Sequence, residues 1–357
     1  MRPISLALAI LIPLAALAGC INPETAPTPA PDVNPEHLLT GNLTIPEVDA
    51  AATLDLLREF SKSFPRRHSD SAAHNGARDF LAKELEGMGL QVFRQELTAS
   101  VSPTSTPTGL LTGGRLVNII GIHWGTDRAN WTVIGGHYDV TEGAHEGAYD
   151  DGSGTSMTLE IARVFSKMQT HRTIAFVLFD GEEQGLKGSS RFVESVKDGA
   201  LQADIGEEIN LFAMIDLDMI GLNWPGPAPI NFDDNSPEIQ AIVRQLVTQI
   251  GMPEDKIKYQ GISAGRSDYG PFMNADVPCG FFISNFEEDV YVGNTKMPAG
   301  EYPFWHQLDT VESMTLAAGG EELLQAGFQT ALNLTSGLLY ALAMDPNLVL
   351  TLEAEEE

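Results

Sequence analysis

The sequence predicts a three-layer α/β/α sandwich around a central mixed, mainly parallel sheet. Three observations predict it. Short apolar runs rich in β-branched residues alternate with amphipathic stretches through most of the chain, and such alternation builds a sheet covered by helices on both faces. The 357 residues give room for one large domain or two small ones, with ample material for a core. A hydrophobic content of 43% beside 20% charged residues is the balance of an ordinary globular protein.

The elements follow in chain order. Arg2 precedes an apolar run over residues 4–18 that ends in Leu17-Ala18-Gly19-Cys20. The run is too short to span a bilayer, and its charged start and small-residue end are those of a signal peptide. Leu-Ala-Gly-Cys also resembles a lipoprotein signal, which predicts an exported protein held at the outer face of the membrane by lipid on Cys20. A plain signal peptide with an incidental Cys would give a secreted protein instead. A Pro-rich spacer over 22–31 has no hydrophobic period and reads as extended chain. The expected organisation is a signal peptide at 1–20, a linker at 21–44, the main domain at 45–345 and an acidic tail at 346–357.

Within the main domain, residues 50–62 and 72–88 read as amphipathic helices, the second closing at Gly89. Residues 103–107 are a Pro-bounded loop. Strands are expected at 116–122, 131–135, 173–179, 211–215 and 280–283. Residues 153–168 place Met157, Ile161, Val164, Phe165 and Met168 on one helical face. Further helices are expected at 237–250 and 316–342.

Forty-nine acidic against 21 basic residues give a net charge of −28, and the tail from Glu353 to Glu357 supplies only four of the acids. An acidic body excludes nucleic acid as a partner, because phosphates demand a basic face. Apart from Cys20 the chain has only Cys279, inside an apolar stretch. A buried inert thiol is the expectation there, and the mature chain cannot form a disulfide.

The polar residues that follow the strands carry the chemistry. Open α/β sheets place their sites beyond the carboxyl ends of the strands. Here the run at 131–136 is followed by His137-Tyr138-Asp139, and 173–179 by Asp180-Gly181-Glu182-Glu183. The run at 211–215 leads into Asp216-Leu217-Asp218, and Tyr149-Asp150-Asp151-Gly152 stands just before a helix. Singly, each has a plain reading: a helix cap, solvated glutamates, a buried imidazole. Together on one rim, carboxylates repel unless a cation neutralises them, which points to metal binding.

These clusters occur in order with Gly185-Leu186-Lys187-Gly188-Ser189, Asp218-Met219-Ile220-Gly221, Arg266-Ser267-Asp268-Tyr269-Gly270-Pro271-Phe272 and Trp305-His306-Gln307-Leu308-Asp309-Thr310. The set resembles the dizinc aminopeptidases of the bacterial leucyl aminopeptidase and aminopeptidase Y type, relatives of glutamate carboxypeptidase and glutaminyl cyclase. The resemblance spans roughly residues 45–344.

It implies that His137 and Asp218 hold one zinc, Glu183 and His306 a second, and Asp150 both. It implies a cis peptide between Asp150 and Asp151, and an Asp139 that accepts a hydrogen bond from the His137 ring. Two zincs about 3.5–4 Å apart share and acidify a water. Glu182 is then the general base that passes its proton to the leaving amine. The substrates implied are peptides with a free N-terminus. Trp305 replaces a tyrosine that many relatives use to support the oxyanion, and it can donate only through its indole nitrogen. Tyr269 offers a hydroxyl or simply packs. Arg266 contacts substrate or makes a surface salt bridge. The other histidines (His37, His68, His74, His123, His145 and His171) lack such a setting, although His145 lies just before Asp150. A single-zinc glutaminyl cyclase and a metal-free binding module are the alternatives. The intact His137 and Asp150 clusters favour two metals.

Overall fold

The computed structural model describes residues 41–69, 71–97, 115–261, 266–284, 290–292, 295–297 and 302–353. The expected signal peptide with Cys20, most of the linker, the 103–107 loop and the last four residues of the tail lie outside them. No helix among the described residues is long and apolar enough to cross a membrane.

Two helices lead. In α1 (Ala50–Ser63) the Asp49 carboxylate accepts from the amides of Ala51 and Ala52, satisfying donors that the first turn leaves free. In α2 (Ala72–Gly87) the Ser71 hydroxyl accepts from the His74 amide. Then come β1 (Gln91–Glu96), β2 (Val117–His123), β3 (Asp127–His137), α3 (Ser153–Phe165), β4 (Arg172–Phe179), α4 (Lys187–Lys197), α5 (Ala200–Ile205) and β5 (Asn210–Leu217). The rest is β6 (Ile230–Asp234), α6 (Pro237–Ile250), β7 (Ile257–Gly261), α7 (Tyr269–Met273), β8 (Cys279–Ser284), the hairpin β9 (Val290–Val292) and β10 (Thr295–Met297), α8 (Val311–Ala318) and α9 (Glu321–Met344).

Strands order as β1-β2-β4-β3-β5-β8-β6-β7. The central four, β4, β3, β5 and β8, are mutually parallel. Antiparallel β2 joins β4 on one side, and antiparallel β6 joins β8 on the other. The sheet separates two cores. Ile174, Phe176 and Leu178 of β4 pack on one face with residues of α1, α2, α3, α6 and α9. Ala175, Val177 and Phe179 pack on the opposite face with α4, α5 and α7. Side chains alternate along a strand, so a strand buried on both faces must be apolar throughout. This is the expected three-layer sandwich.

Some elements depart from the sequence expectation. The helix expected at 316–342 is two helices, broken at Gly319 and Gly320 with φ of +89° and +130°, values that only glycine adopts without strain. The first of them begins earlier, at a Thr310–Ser313 capping box. Strands β1, β6 and β7, helices α4, α5 and α7 and the small hairpin were not anticipated. β1 is largely exposed at the sheet edge, and β6 reads Ile-Asn-Phe-Asp-Asp, so neither shows a clear apolar period. The chain after α9 is pinned to the body. Arg172 donates to the carbonyls of Leu342, Asp345 and Leu348, and the Glu238 carboxylate accepts from Thr351.

Candidate metal centre

Parallel pairing brings three ligand-bearing strand ends to one edge. His137 is the last residue of β3 and stands opposite Phe179, the last of β4; Gly135 stands opposite Asp216 of β5. His137, the 180–183 turn and Asp218 therefore leave the sheet side by side. Asp150 arrives from the wide turn over Ala148–Gly152 that leads into α3, and its peptide with Asp151 is cis. Close backbone approach is needed here. A Cβ on Gly136 or Gly154 would lie 2.4 or 2.5 Å from Asp151 Oδ2, so glycine at both positions makes room for that carboxylate between β3 and α3. His306, with φ of +57°, comes from the loop before α8.

The side chains form two overlapping groups. One ligand atom each from His137, Asp150 and Asp218 lies within 4.8 Å of the others, and the same holds for Asp150, Glu183 and His306. His137 Nε2 is 3.1 Å from Asp150 Oδ1 and 3.8 Å from Asp218 Oδ1. His306 Nε2 is 3.1 Å from Asp150 Oδ2 and 3.3 Å from Glu183 Oε1. Asp150 thus turns one oxygen to each group. The first group is buried, while Glu183 and His306 are half-buried. Glu182 belongs to neither group; its Oε2 lies 4.0 Å from His137 Nε2.

The charges report the same crowding. Burial and the nearby Asp218, Asp268 and Asp139 push Glu182 up to about 10, although His137 pulls it down. Burial also raises Glu183 and, strongly, Asp151. Burial opposes charge on both imidazoles, yet the neighbouring carboxylates of Asp139, Asp150 and Asp218 hold His137 well above the histidine range. The carboxylates of Asp150 and Glu183 beside it lift His306 to about 10. Asp150 is the exception among the acids. Its burial is outweighed by His137 and His306, which hold it below the carboxylate range.

The donor set of the two groups fits zinc. Imidazole nitrogen and carboxylate oxygen are zinc ligands, and three of them leave a position open. His137 Nε2 and Asp218 Oδ1 are buried without a hydrogen-bond partner among the described residues, a costly state unless a cation is their partner.

Other expected residues fall as follows. The His137 Nδ1 atom lies nearer the Asp139 main-chain oxygen, at 3.2 Å, than its carboxylate, at 3.5 Å. The carboxylate instead accepts the Glu182 amide at 3.1 Å, so Asp139 ties the β3 loop to the β4 turn. Trp305 donates its indole N–H to Asp150 Oδ2 at 2.5 Å. Arg266 is exposed and pairs with buried Asp233 at 3.7 Å. Tyr269 is buried against Phe281, and its hydroxyl accepts the Arg266 amide. Neither Arg266 nor Tyr269 belongs to a ligand group.

Several residues that support the centre carry no sequence signal of that role. His74, set aside above, is buried with Nε2 2.8 Å from Asp180 Oδ1 and stacks on Tyr138. The Tyr138 hydroxyl donates to the other Asp180 oxygen. This network anchors the turn that carries Glu182 and Glu183. His145 contributes through its main chain, its amide donating to the Gln307 carbonyl at 2.8 Å.

A mixed sheet whose central parallel strand ends supply two groups of side chains able to ligate metal, sharing one carboxylate, defines the class: an α/β protein with a candidate metal centre. The chain belongs to peptidase family M28, whose model matches residues 118–318. It is 30% identical over 219 residues to leupeptin-inactivating enzyme 1 of Streptomyces exfoliatus, covering 60% of this chain and 47% of that one. It is 33% identical over 150 residues to aminopeptidase YwaD of Bacillus subtilis, covering 41% of this chain and 30% of that one. The chain thus spans less than half the length of these curated relatives. Its fold is similar to that of BSAP, a zinc aminopeptidase from Bacillus subtilis, with a TM-score of 0.63 at 18% identity over 84% of this chain and 97% of that one.

Proposed function

We propose that the chain is a zinc-dependent aminopeptidase that removes residues from the N-termini of peptides, with two zinc ions per chain. One observation carries the reading: two groups of three donors meet at the two oxygens of a single carboxylate, Asp150. Membership of a peptidase family and the names borne by similar proteins support the reaction class. His137, Asp218 and Asp150 would hold one ion, and Glu183, His306 and Asp150 the other. Bound there, the pair would polarise the scissile carbonyl and lower the pKa of the attacking water toward neutrality.

The remaining work belongs to side chains. Glu182 takes the proton of the attacking water and returns it to the leaving amine. Its ionised form is the base, so it must come down from about 10, and positive charge in the ligand groups beside it has the sign to do so. The Asp139 carboxylate holds the Glu182 amide and so fixes the turn that aims it. Trp305 steadies Asp150 through its indole N–H. Glu182 and Asp218 form an acidic rim that receives the substrate's α-ammonium.

The test compares hydrolysis of peptides with free and acetylated N-termini, before and after chelation. Free peptides should be shortened from the N-terminus, acetylated ones should resist, chelation should abolish activity and zinc should restore it. Equal rates on both peptides, or full activity after chelation, would contradict the proposal. Cyclisation of N-terminal glutamine without hydrolysis would transfer the site to the cyclase reading.

A further inference from the structure

Arg67 is fully buried within the acidic centre, yet its described hydrogen bonds go to carbonyls. Nε donates to the Tyr138 carbonyl at 2.5 Å, one terminal nitrogen donates to the Glu146 carbonyl, and the other donates to the Gly147 carbonyl at 2.7 Å. The Phe60 ring lies beneath the guanidinium, 4.7 Å from its carbon to the ring centroid. Tyr138 stands between His137 and Asp139. Glu146 and Gly147 open the segment that ends at Asp150. One planar cation therefore ties together the two stretches of main chain that carry His137 and the shared carboxylate. A guanidinium suits this because its donors form a rigid fork and it carries charge into a buried place.

The same segment is held from its other end. Asp309 is buried, and its carboxylate accepts the amide of Tyr149 at 3.0 Å and that of Asp150 at 2.9 Å. Its main-chain oxygen accepts the Glu146 amide at 3.1 Å. Asp309 lies three residues beyond His306, so the contact also ties the second imidazole to Asp150. Burial lowers Arg67 to about 10 and raises Asp309 to about 7; Arg67 therefore remains a cation at neutral pH.

We propose that Arg67 and Asp309 form a brace that presets the Asp150 segment against His137 and His306, so that the metal-free protein already holds its ligand geometry. Both are positioning residues, and the inference rests on the two-metal reading above. Ordering the segment in advance removes a cost that the ions would otherwise bear on binding. Residues that orient ligands from behind typically change metal affinity about 10–100-fold when replaced. Because Asp150 serves both groups, loss of the brace should weaken both sites together. Removing the Arg67 charge would by itself favour a cation, so the informative variant is Arg67→Lys, which keeps the charge and loses the fork.

The experiment titrates zinc(II) into metal-free full-length wild type, Arg67→Lys and Asp309→Asn in competition with a chromophoric chelator. Thermal unfolding is followed with and without zinc. The brace predicts zinc binding about 10–100-fold weaker at both sites in each variant, with a smaller zinc-induced rise in Tm. Cobalt(II) spectra should change in both variants. A purely structural role would lower Tm equally with and without zinc and leave zinc affinity and the cobalt spectrum as in wild type; that result overturns the brace. Should Arg67→Lys fail to fold, Asp309→Asn decides by the same measurements. A wild type that takes up no zinc would overturn the proposed function itself, whereas wild-type binding with unchanged variants overturns the brace alone.

Discussion

Glu182 and Glu183 are neighbours with different prospects. Both stand in the turn that follows β4, and there Glu183 reaches His306 at 3.3 Å while Glu182 lies 4.0 Å from His137. Glu183→Ala should lose activity by losing metal. Glu182→Gln keeps shape, removes basicity, and should keep both zincs while kcat falls by about 10²–10⁴, the usual worth of a positioned base. Zinc content beside kcat for both variants checks the pair; a Glu182→Gln that loses metal while Glu183→Ala keeps it would reverse the assignment. His137, Asp150, Glu183 and Asp218 were legible in the sequence because each follows an apolar run or precedes a helix, whereas His306 was legible only through the family resemblance that Trp305-His306-Gln307-Leu308-Asp309-Thr310 carries. Their supports were not. Arg67 and Asp309 act through main-chain carbonyls and amides, which no residue pattern reveals. His74 finds Asp180 only after 106 residues of separation are folded away.

At the scale of elements, legibility followed burial and punctuation. Pro237 at the first turn and Gly251 just past the last bound α6, as a proline start and a glycine stop should. β4, apolar from Ile174 to Phe179, was plain. β6 was hidden because Asn231, Asp233 and Asp234 are buried acids and amides in a short strand. That strand carries a pH prediction. Burial raises Asp234 to about 7, against the hydrogen bond from Gln240. Its folded pKa thus exceeds the value of about 3.9 in an unfolded chain. The folded state holds the proton more tightly, so this contribution to stability is full below about pH 4 and is lost as pH rises through about 7. Asp234→Asn should therefore unfold at higher temperature than wild type at pH 8, with the gap closing toward pH 4. Melting curves across that range would refute this if the gap is constant or widens on acidification.

The molecule as a whole places a dense set of acids in a chain of net charge −28. Much of that charge is solvated, but the carboxylates at the edge of β4, β3 and β5 are not, and there the two imidazoles and Arg67 are the counter-charges that the chain itself supplies. The fold class was readable from alternation alone, since two cores on either side of one sheet require it. The split into two ligand groups was not readable that way, because it depends on which oxygen of Asp150 faces which imidazole. The two-ion reading stands on that split. Its most direct test is the stoichiometry of zinc at saturation, measured by calorimetric titration of the metal-free protein. Two ions per chain are predicted; saturation at one, or no binding, would contradict the account.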